Sequence, residues 1–535
     1  MAGFVIENLS FTYPNSEKPA LDGISLSVGS GEFALLIGRS GCGKSTLLRH
    51  LKPTLTPHGE RSGRVLFDGE PVSSLDDRSA AKRIGFVFQH PDDQIVTDKV
   101  WHELAFGLES TGCERKTMRL RVSEMASYFG LEDIFHKNVS ELSGGQKQLL
   151  NLASVMAMNP DALILDEPTS QLDPIAAFDF LSTVKRLNTE LGITVILSEH
   201  RLEEAMQFAD RVLVLEDGRL TVSGTPKETA KRLFETGSPM AGAMPAAARI
   251  SLGLGLPEAA LTVNEGRRAI HSLGLAKKLL PEEPLAGRDS KPVFSASELF
   301  FRYEKDGEDV LKGLDLDLFA GEIYSLVGSN GAGKSTLLSV ISGQRAPYRG
   351  RISVNGKRMK GRFNAFSEHV ALLPQDPRLI FTKDTVRAEL STEGAESVIS
   401  LMELEGVLDR DPYDISGGEQ QRAAIAKVLL ADPSILLLDE PTKGMDAHTK
   451  ATFGKKLREL KEKGIAILLV SHDVEFCAEY SDRAGFMFDG AVISENGTRA
   501  FFRENTFYTT AANRTARDVY ENALLAEEVI RLAKG

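Results

Sequence analysis

Cysteine is scarce in this sequence of 535 residues: Cys42, Cys113 and Cys477 stand far apart, and none belongs to a CxxC pair. That pattern excludes a cysteine-built zinc or iron–sulfur centre and suits free thiols in a reducing compartment. Long apolar runs are missing too. No uncharged stretch reaches the ~18 residues of a membrane-crossing helix, so any membrane work is expected to fall to a partner. The first residues, MAGFVIENLSFTYPNSEKPAL, show no basic segment followed by an apolar run, so no signal peptide is expected. Basic residues are outnumbered, 63 Lys and Arg against 75 Asp and Glu, for a net charge of −12. An acidic surface disfavours general binding to nucleic acid, and no nucleic-acid partner is expected.

What is present is an ordinary globular balance, 42% hydrophobic and 26% charged, which excludes wholesale disorder. At roughly 150 residues per domain the length demands more than one core. The chain repeats itself once. FTYPN is matched by FRYEK, GRSGCGKSTLL by GSNGAGKSTLL, FVFQHPDDQ by LLPQDPRLI, LSGGQKQ by ISGGEQQR, ALILDEPTS by ILLLDEPTK, and SEH by SHD, in one order. The second copy is shortened mainly between its Gln and SGG segments. Two copies of one domain are expected, at 1–226 and 292–504, with a linker at 227–291 and a C-terminal helical tail at 505–535. The linker is broken by Gly and Pro, and the tail carries Leu524, Leu525, Val529, Ile530 and Leu532 in helical spacing. Within each copy short β-rich runs alternate with helical stretches, the pattern of an α/β fold with a mainly parallel sheet.

Two segments fit GxxxxGK[ST]. One is Gly38, Arg39, Ser40, Gly41, Cys42, Gly43, Lys44, Ser45 and then Thr46. The other is Gly328, Ser329, Asn330, Gly331, Ala332, Gly333, Lys334, Ser335 and then Thr336. Such a loop turns its N–H groups toward phosphate oxygens, and the helix that follows adds its positive end. Lys44 and Lys334 would reach the β- and γ-phosphates, and Ser45 and Ser335 would ligate Mg²⁺. Two further runs are apolar strands ending in paired acids, Asp166-Glu167 and Asp439-Glu440. One such pair by itself leaves a solvated strand end as the lesser alternative. Beside a phosphate loop, Asp166 and Asp439 are expected to hold Mg²⁺, and Glu167 and Glu440 to act as general bases on the attacking water.

The segments Ser143-Gly144-Gly145-Gln146 and Ser416-Gly417-Gly418-Glu419 precede those strands. They resemble the signature of ATP-binding-cassette (ABC) proteins, and the resemblance covers both halves. It implies two tandem ABC-type P-loop NTPase domains, each a RecA-like mixed sheet with helices plus a helical subdomain. It implies that each signature caps the γ-phosphate of ATP held by the other domain. Gln89 and Gln375 resemble the glutamines that sense Mg²⁺ and water. Asp173 and Asp446 fall in the loop after the catalytic Glu. His200 and His472 resemble the switch histidines that contact γ-phosphate, and Tyr13 and Tyr303 the aromatic platforms for adenine. Every motif is intact in both halves, so two competent ATP sites are expected. A homodimer is not required, because the two ATPase domains are fused.

After Gln89 the chain reads HPDDQIVTDKVWHELAFGL. This is similar to the ATPases of energy-coupling-factor (ECF) importers, which drive uptake of vitamins, their precursors or transition-metal ions. The second copy keeps the frame but departs from it at Arg378 and Leu379. The closing FYTTAANR also looks like the end of fused chains of that family. The resemblance implies an ECF-type transmembrane scaffold subunit and a substrate-binding membrane subunit as partners, and a location on the cytoplasmic face of the cell membrane. Val100, Leu104 and Leu108 recur every four residues beside Trp101. That stripe reads equally as a groove for a partner helix, with Asp92 and Asp93 to pair its basic residues, or as the subdomain's own core. The alternatives are a fused ATPase of a sugar or peptide importer, or a soluble ribosome-associated ABC ATPase. The second would need a long, charged helical arm between the halves, where this linker is broken by Gly, Ala and Pro. A DNA-repair cassette would need zinc cysteines.

Overall fold

The computed structural model describes residues 3–14, 16, 18–281, 291–358, 369–392, 394–415 and 417–535. Ser416 of the second signature lies outside the described residues. The chain forms two compact units, Met1–Ala248 with Pro257–Thr262, and Arg249–Leu256 with Val263–Gly535.

In the first unit the strand Phe33–Ile37, buried along its whole length, lies between Thr194–Ser198 and Arg211–Glu216 in a six-stranded sheet. Ala162–Asp166 and Ile84–Val87 continue the sheet in parallel, and Arg219–Gly224 closes the far edge antiparallel. All five residues of Phe33–Ile37, Ala162–Asp166 and Thr194–Ser198 are buried, which is why these runs are continuous rather than alternating. A second, antiparallel sheet orders Leu21–Val28, Phe4–Thr12, Glu60–Phe67 and Glu70–Pro71. Its Phe4, Leu9, Phe11 and Phe67 pack with Leu47 and Leu48 of the helix after the phosphate loop.

The second unit repeats the plan. Its six-stranded sheet runs Val370–Leu373, Ile435–Asp439, Ala466–Val470, Ile323–Val327, Arg483–Phe488 and Ala491–Gly497. The register is equivalent: Leu36 pairs with Ser198, and Leu326 with Val470. His200 and His472 therefore stand at the same place, two residues beyond the strand end.

The helical subdomains account for the unequal length of the copies. The first has Val100–Ser110 and Arg115–Tyr128 before the helix Gly144–Ala157, where the second has only Val386–Glu389 and Ala395–Met402 before Gly417–Leu429. Val100, Leu104 and Leu108 are 0%, 1% and 1% exposed. The helix Val100–Ser110 packs on both neighbouring helices, so the stripe is this subdomain's own core and not a groove. Trp101 faces outward at 40% exposure, and Val96 and Phe106 are exposed too. Asp92 is taken by an ion pair with Lys147 of its own chain, at 2.6 Å.

Between the motif-bearing regions the chain is helical. Pro226–Glu235 carries a capping box of Thr225 and Glu228, and Ala246–Gly253 and Val263–Ser272 follow. The tail has a like order, with Ala511–Ala516 and then Ala526–Lys534. Val263–Ser272 packs on Ala511–Ala516 within the second unit. Arg267 Nε donates to the Arg514 carbonyl at 2.8 Å, and Asn522, 1% exposed, holds Leu280 through both its amide atoms, at 2.9 and 2.7 Å. Arg249 pairs with Glu527, and Gly253 leaves room for the Ile530 side chain. No described helix is long and apolar enough to cross a membrane.

Candidate nucleotide sites

Each phosphate loop lies between a buried strand and a helix, Phe33–Ile37 and Lys44–His50 in the first unit, Ile323–Val327 and Lys334–Ile341 in the second. Gly43 and Gly333, at φ 102° and 101°, hold the left-handed turn into the helix. A Cβ at Gly43 would lie 2.4 Å from the Ala20 carbonyl, so only glycine fits there. Lys44 is 4% exposed, and its ammonium reaches the loop carbonyls of Gly38 and Arg39 at 3.0 and 3.2 Å. Lys334 does the same with Gly328 and Ser329 at 2.7 and 2.9 Å.

The acids gather around these lysines. Ser45 Oγ donates to Asp166 Oδ1 at 3.0 Å, and Ser335 hydrogen-bonds Asp439. Burial pushes both aspartates above the usual carboxylate range, Asp166 further so through neighbouring Glu167. In the first unit Glu167 Oε1 lies 2.8 Å from His200 Nε2 and 3.7 Å from Lys44 Nζ, while Gln89 Nε2 donates to Oε2 at 2.9 Å. Burial would raise the Glu167 carboxyl, but His200 and Lys44 outweigh it and hold the group below its ordinary value. In the second unit His472 Nε2 lies 3.4 Å from Glu440 Oε1 and is bound to Asn330 Oδ1 at 2.8 Å. Burial there prevails, and Glu440 is pushed up to about 7. No bond from Gln375 to Glu440 is found among the described residues.

Both glutamates have left-handed backbones, φ 45° for Glu167 and 49° for Glu440. For a non-glycine residue that costs on the order of 1–2 kcal/mol, and the buried strands on either side hold it. Sequence gave no sign of this strain. Nor did it show that the Tyr13 hydroxyl meets Thr46 Oγ1 at 3.0 Å and Tyr303 meets Thr336 at 2.9 Å, which sets each ring beside its phosphate-loop helix. Arg345 covers the Tyr303 ring at 4.6 Å.

Ser143 is the N-cap of Gly144–Ala157, in a capping box with Gln146. Gly144 and Gly145 form the first turn, and Gly417, Gly418 and Glu419 open the equivalent helix Gly417–Leu429. Asp173 and Asp446 cap the helices after the glutamates, accepting from Ala176 N and Thr449 N at 2.9 and 2.7 Å. The sequence residues brought together are thus Lys44, Ser45, Gln89, Asp166, Glu167 and His200 in one unit. In the other they are Lys334, Ser335, Asp439, Glu440 and His472, with Gln375 unjoined.

The first-unit oxygens fit Mg²⁺: the Ser45 hydroxyl and an Asp166 carboxylate oxygen are already in contact. Among the described residues no cluster of three or more His, Cys, Asp or Glu could hold a metal ion. Mg²⁺ commonly takes one or two carboxylates and completes its shell with substrate phosphates and water, which matches this sparse donor set.

The sequence matches the ABC transporter family over residues 21–170 and 311–443. A protein of Bacillus anthracis, provisionally named an ABC transporter ATP-binding protein, is 41% identical over 540 residues, covering 98% of this chain and 97% of its own. One from Methanosarcina acetivorans with the same provisional name is 34% identical over 530 residues, covering 93% and 86%. A solved structure of cbiO1 from Clostridium perfringens, part of the ABC transporter complex cbiONQ, aligns with 44% of this chain and 96% of its own, at 32% identity and a TM-score of 0.39. The chain belongs to the ABC transporter family as an ATP-hydrolysing, energy-coupling protein with two ABC domains.

Proposed function

We propose that this chain is the ATPase of an ECF-type importer, working on the cytoplasmic face of the cell membrane with a transmembrane scaffold and a substrate-binding membrane subunit. The cargo class is a vitamin, its precursor or a transition-metal ion. One observation carries the reading beyond ATP hydrolysis. The Pro-Asp-Asp-Gln segment is clipped to the strand that delivers Gln89: the Gln94 side chain accepts from Phe88 N at 3.0 Å and donates to the Phe86 carbonyl at 3.1 Å. A shift at Gln89 is thereby passed to the turn Pro91–Asp93, which leads into the segment carrying exposed Val96 and Trp101, apolar side chains suited to meeting a helix of a membrane partner. In the second unit Ile380 stands where Gln94 stands in the first and has no amide with which to form the clip.

In this mechanism 1–226 and 292–504 are the two ATPase domains, joined by the linker 227–291 and followed by the tail 505–535. The loop N–H groups and Lys44 or Lys334 hold the phosphates, and Tyr13 or Tyr303 flanks adenine. Ser45, Asp166 and Gln89, or Ser335, Asp439 and Gln375, would hold Mg²⁺, which supplies charge neutralisation on the phosphates when bound. Glu167 and Glu440 each orient a water and accept its proton, and His200 and His472 face the γ-phosphate. The signatures Ser143–Gln146 and Ser416–Glu419 act in trans.

Purification of the tagged chain from its host in mild detergent tests the reading. Co-recovery of a small helical membrane scaffold with a substrate-binding membrane protein is expected. Recovery with ribosomes alone, or with a sugar or peptide permease, contradicts it.

A further inference from the structure

The two sites differ at the buried residue just before each histidine. By sheet register Glu199 in the first unit stands where Ser471 stands in the second. Glu199 is 2% exposed, and its carboxylate is filled from two directions. Oε1 accepts from Thr169 N and Thr169 Oγ1 at 3.0 and 2.7 Å, and Oε2 accepts from the His200 backbone N–H at 3.2 Å. Ser471 is too short for this. Its Oγ accepts from Asp473 N at 3.0 Å, and the His472 N–H donates instead to Glu440 Oε2 at 3.1 Å.

A buried N–H demands an acceptor. In the second unit the catalytic carboxylate itself serves, which turns Glu440 onto the backbone, leaves its Oε1 without a hydrogen bond and gives Gln375 no hold on it. In the first unit Glu199 meets that demand, and Glu167 is free to engage Gln89, His200 and Lys44. We propose that Glu199 is a positioning residue that makes the first site the better organised for hydrolysis, by relieving Glu167 of the His200 N–H. The inference rests on Glu167 and Glu440 being the general bases.

The test is steady-state ATP hydrolysis by the full chain carrying Glu199→Ser, with Thr169→Val as the comparison. Glu199→Ser gives the first unit the residue with which the second already folds. It is expected to lower kcat about fivefold to tenfold with KM for ATP within about twofold, since a misaimed base forfeits part of the 10²–10⁴-fold that a base contributes. Thr169→Val keeps the bond to His200 N–H and should leave kcat within about twofold. An unchanged kcat in folded Glu199→Ser overturns the proposal, as does an equal fall in both variants, which would mark Glu199 as a loop support only. If Glu199→Ser fails to melt cooperatively, Ser198→Val with Glu199→Ser, the pair found in the second unit, replaces it under the same criteria. The double variant Glu167→Gln, Glu440→Gln separates the two levels: if it still hydrolyses ATP, the assignment of the bases fails; if it is inactive while Glu199→Ser is unaltered, only the role of Glu199 fails.

Discussion

Glu167 and Glu440 share a residue type, a buried strand end and a left-handed backbone, yet meet different neighbours. Glu167→Gln and Glu440→Gln should each lower ATP turnover, the double variant by about a hundredfold or more, as expected for loss of a general base at both sites. A phosphate-release assay checks this, and full activity in either single variant would remove one site from the account. The residues themselves were legible because phosphate, Mg²⁺ and water each demand particular side chains at fixed spacing. Their inequality was not. It depends on Glu199 and Ser471, which look like ordinary strand-end residues until the sheet register places them behind the histidine. The tyrosines were placed by resemblance alone, and the hydroxyl bonds to Thr46 and Thr336 that seat them arise only in the fold.

Among elements, the helix Val100–Ser110 shows what periodicity can and cannot decide. A four-residue apolar repeat announces a buried stripe but not what buries it. Here the covering comes from Arg115–Tyr128 and Gly144–Ala157 of the same subdomain. Leu104→Ala is therefore expected to destabilise the first unit by about 2–5 kcal/mol, read by denaturant melting. Trp101→Ala, at an outward position, should cost well under that, about 1 kcal/mol or less. If the partner face is as proposed, adding the membrane scaffold in detergent will shift the emission of Trp101, the only tryptophan. Unchanged emission would place docking elsewhere. The alternation of strands and helices was readable because fully buried parallel strands are continuous apolar runs, such as Ile435–Asp439. The shortened helices of the second subdomain appeared in sequence only as a gap.

On the scale of the whole chain, duplication was plain from the motifs, while the segments outside them were not. Residues 263–281 and the tail hold each other through Arg267 with Arg514 and Leu280 with Asn522, contacts between positions far apart in sequence that no local pattern reveals. Asn522→Ala should remove both hydrogen bonds to the half-buried Leu280 backbone and cost the second unit about 1–3 kcal/mol, measurable as a lower melting transition. A change confined to the first unit would speak against that packing. The central claim is that both halves of one chain bind MgATP competently. The most direct test is the stoichiometry of ATP bound at saturation by the Glu167→Gln, Glu440→Gln double variant with Mg²⁺ present. Two molecules of ATP per chain are expected; one per chain would contradict the account and leave a single working site.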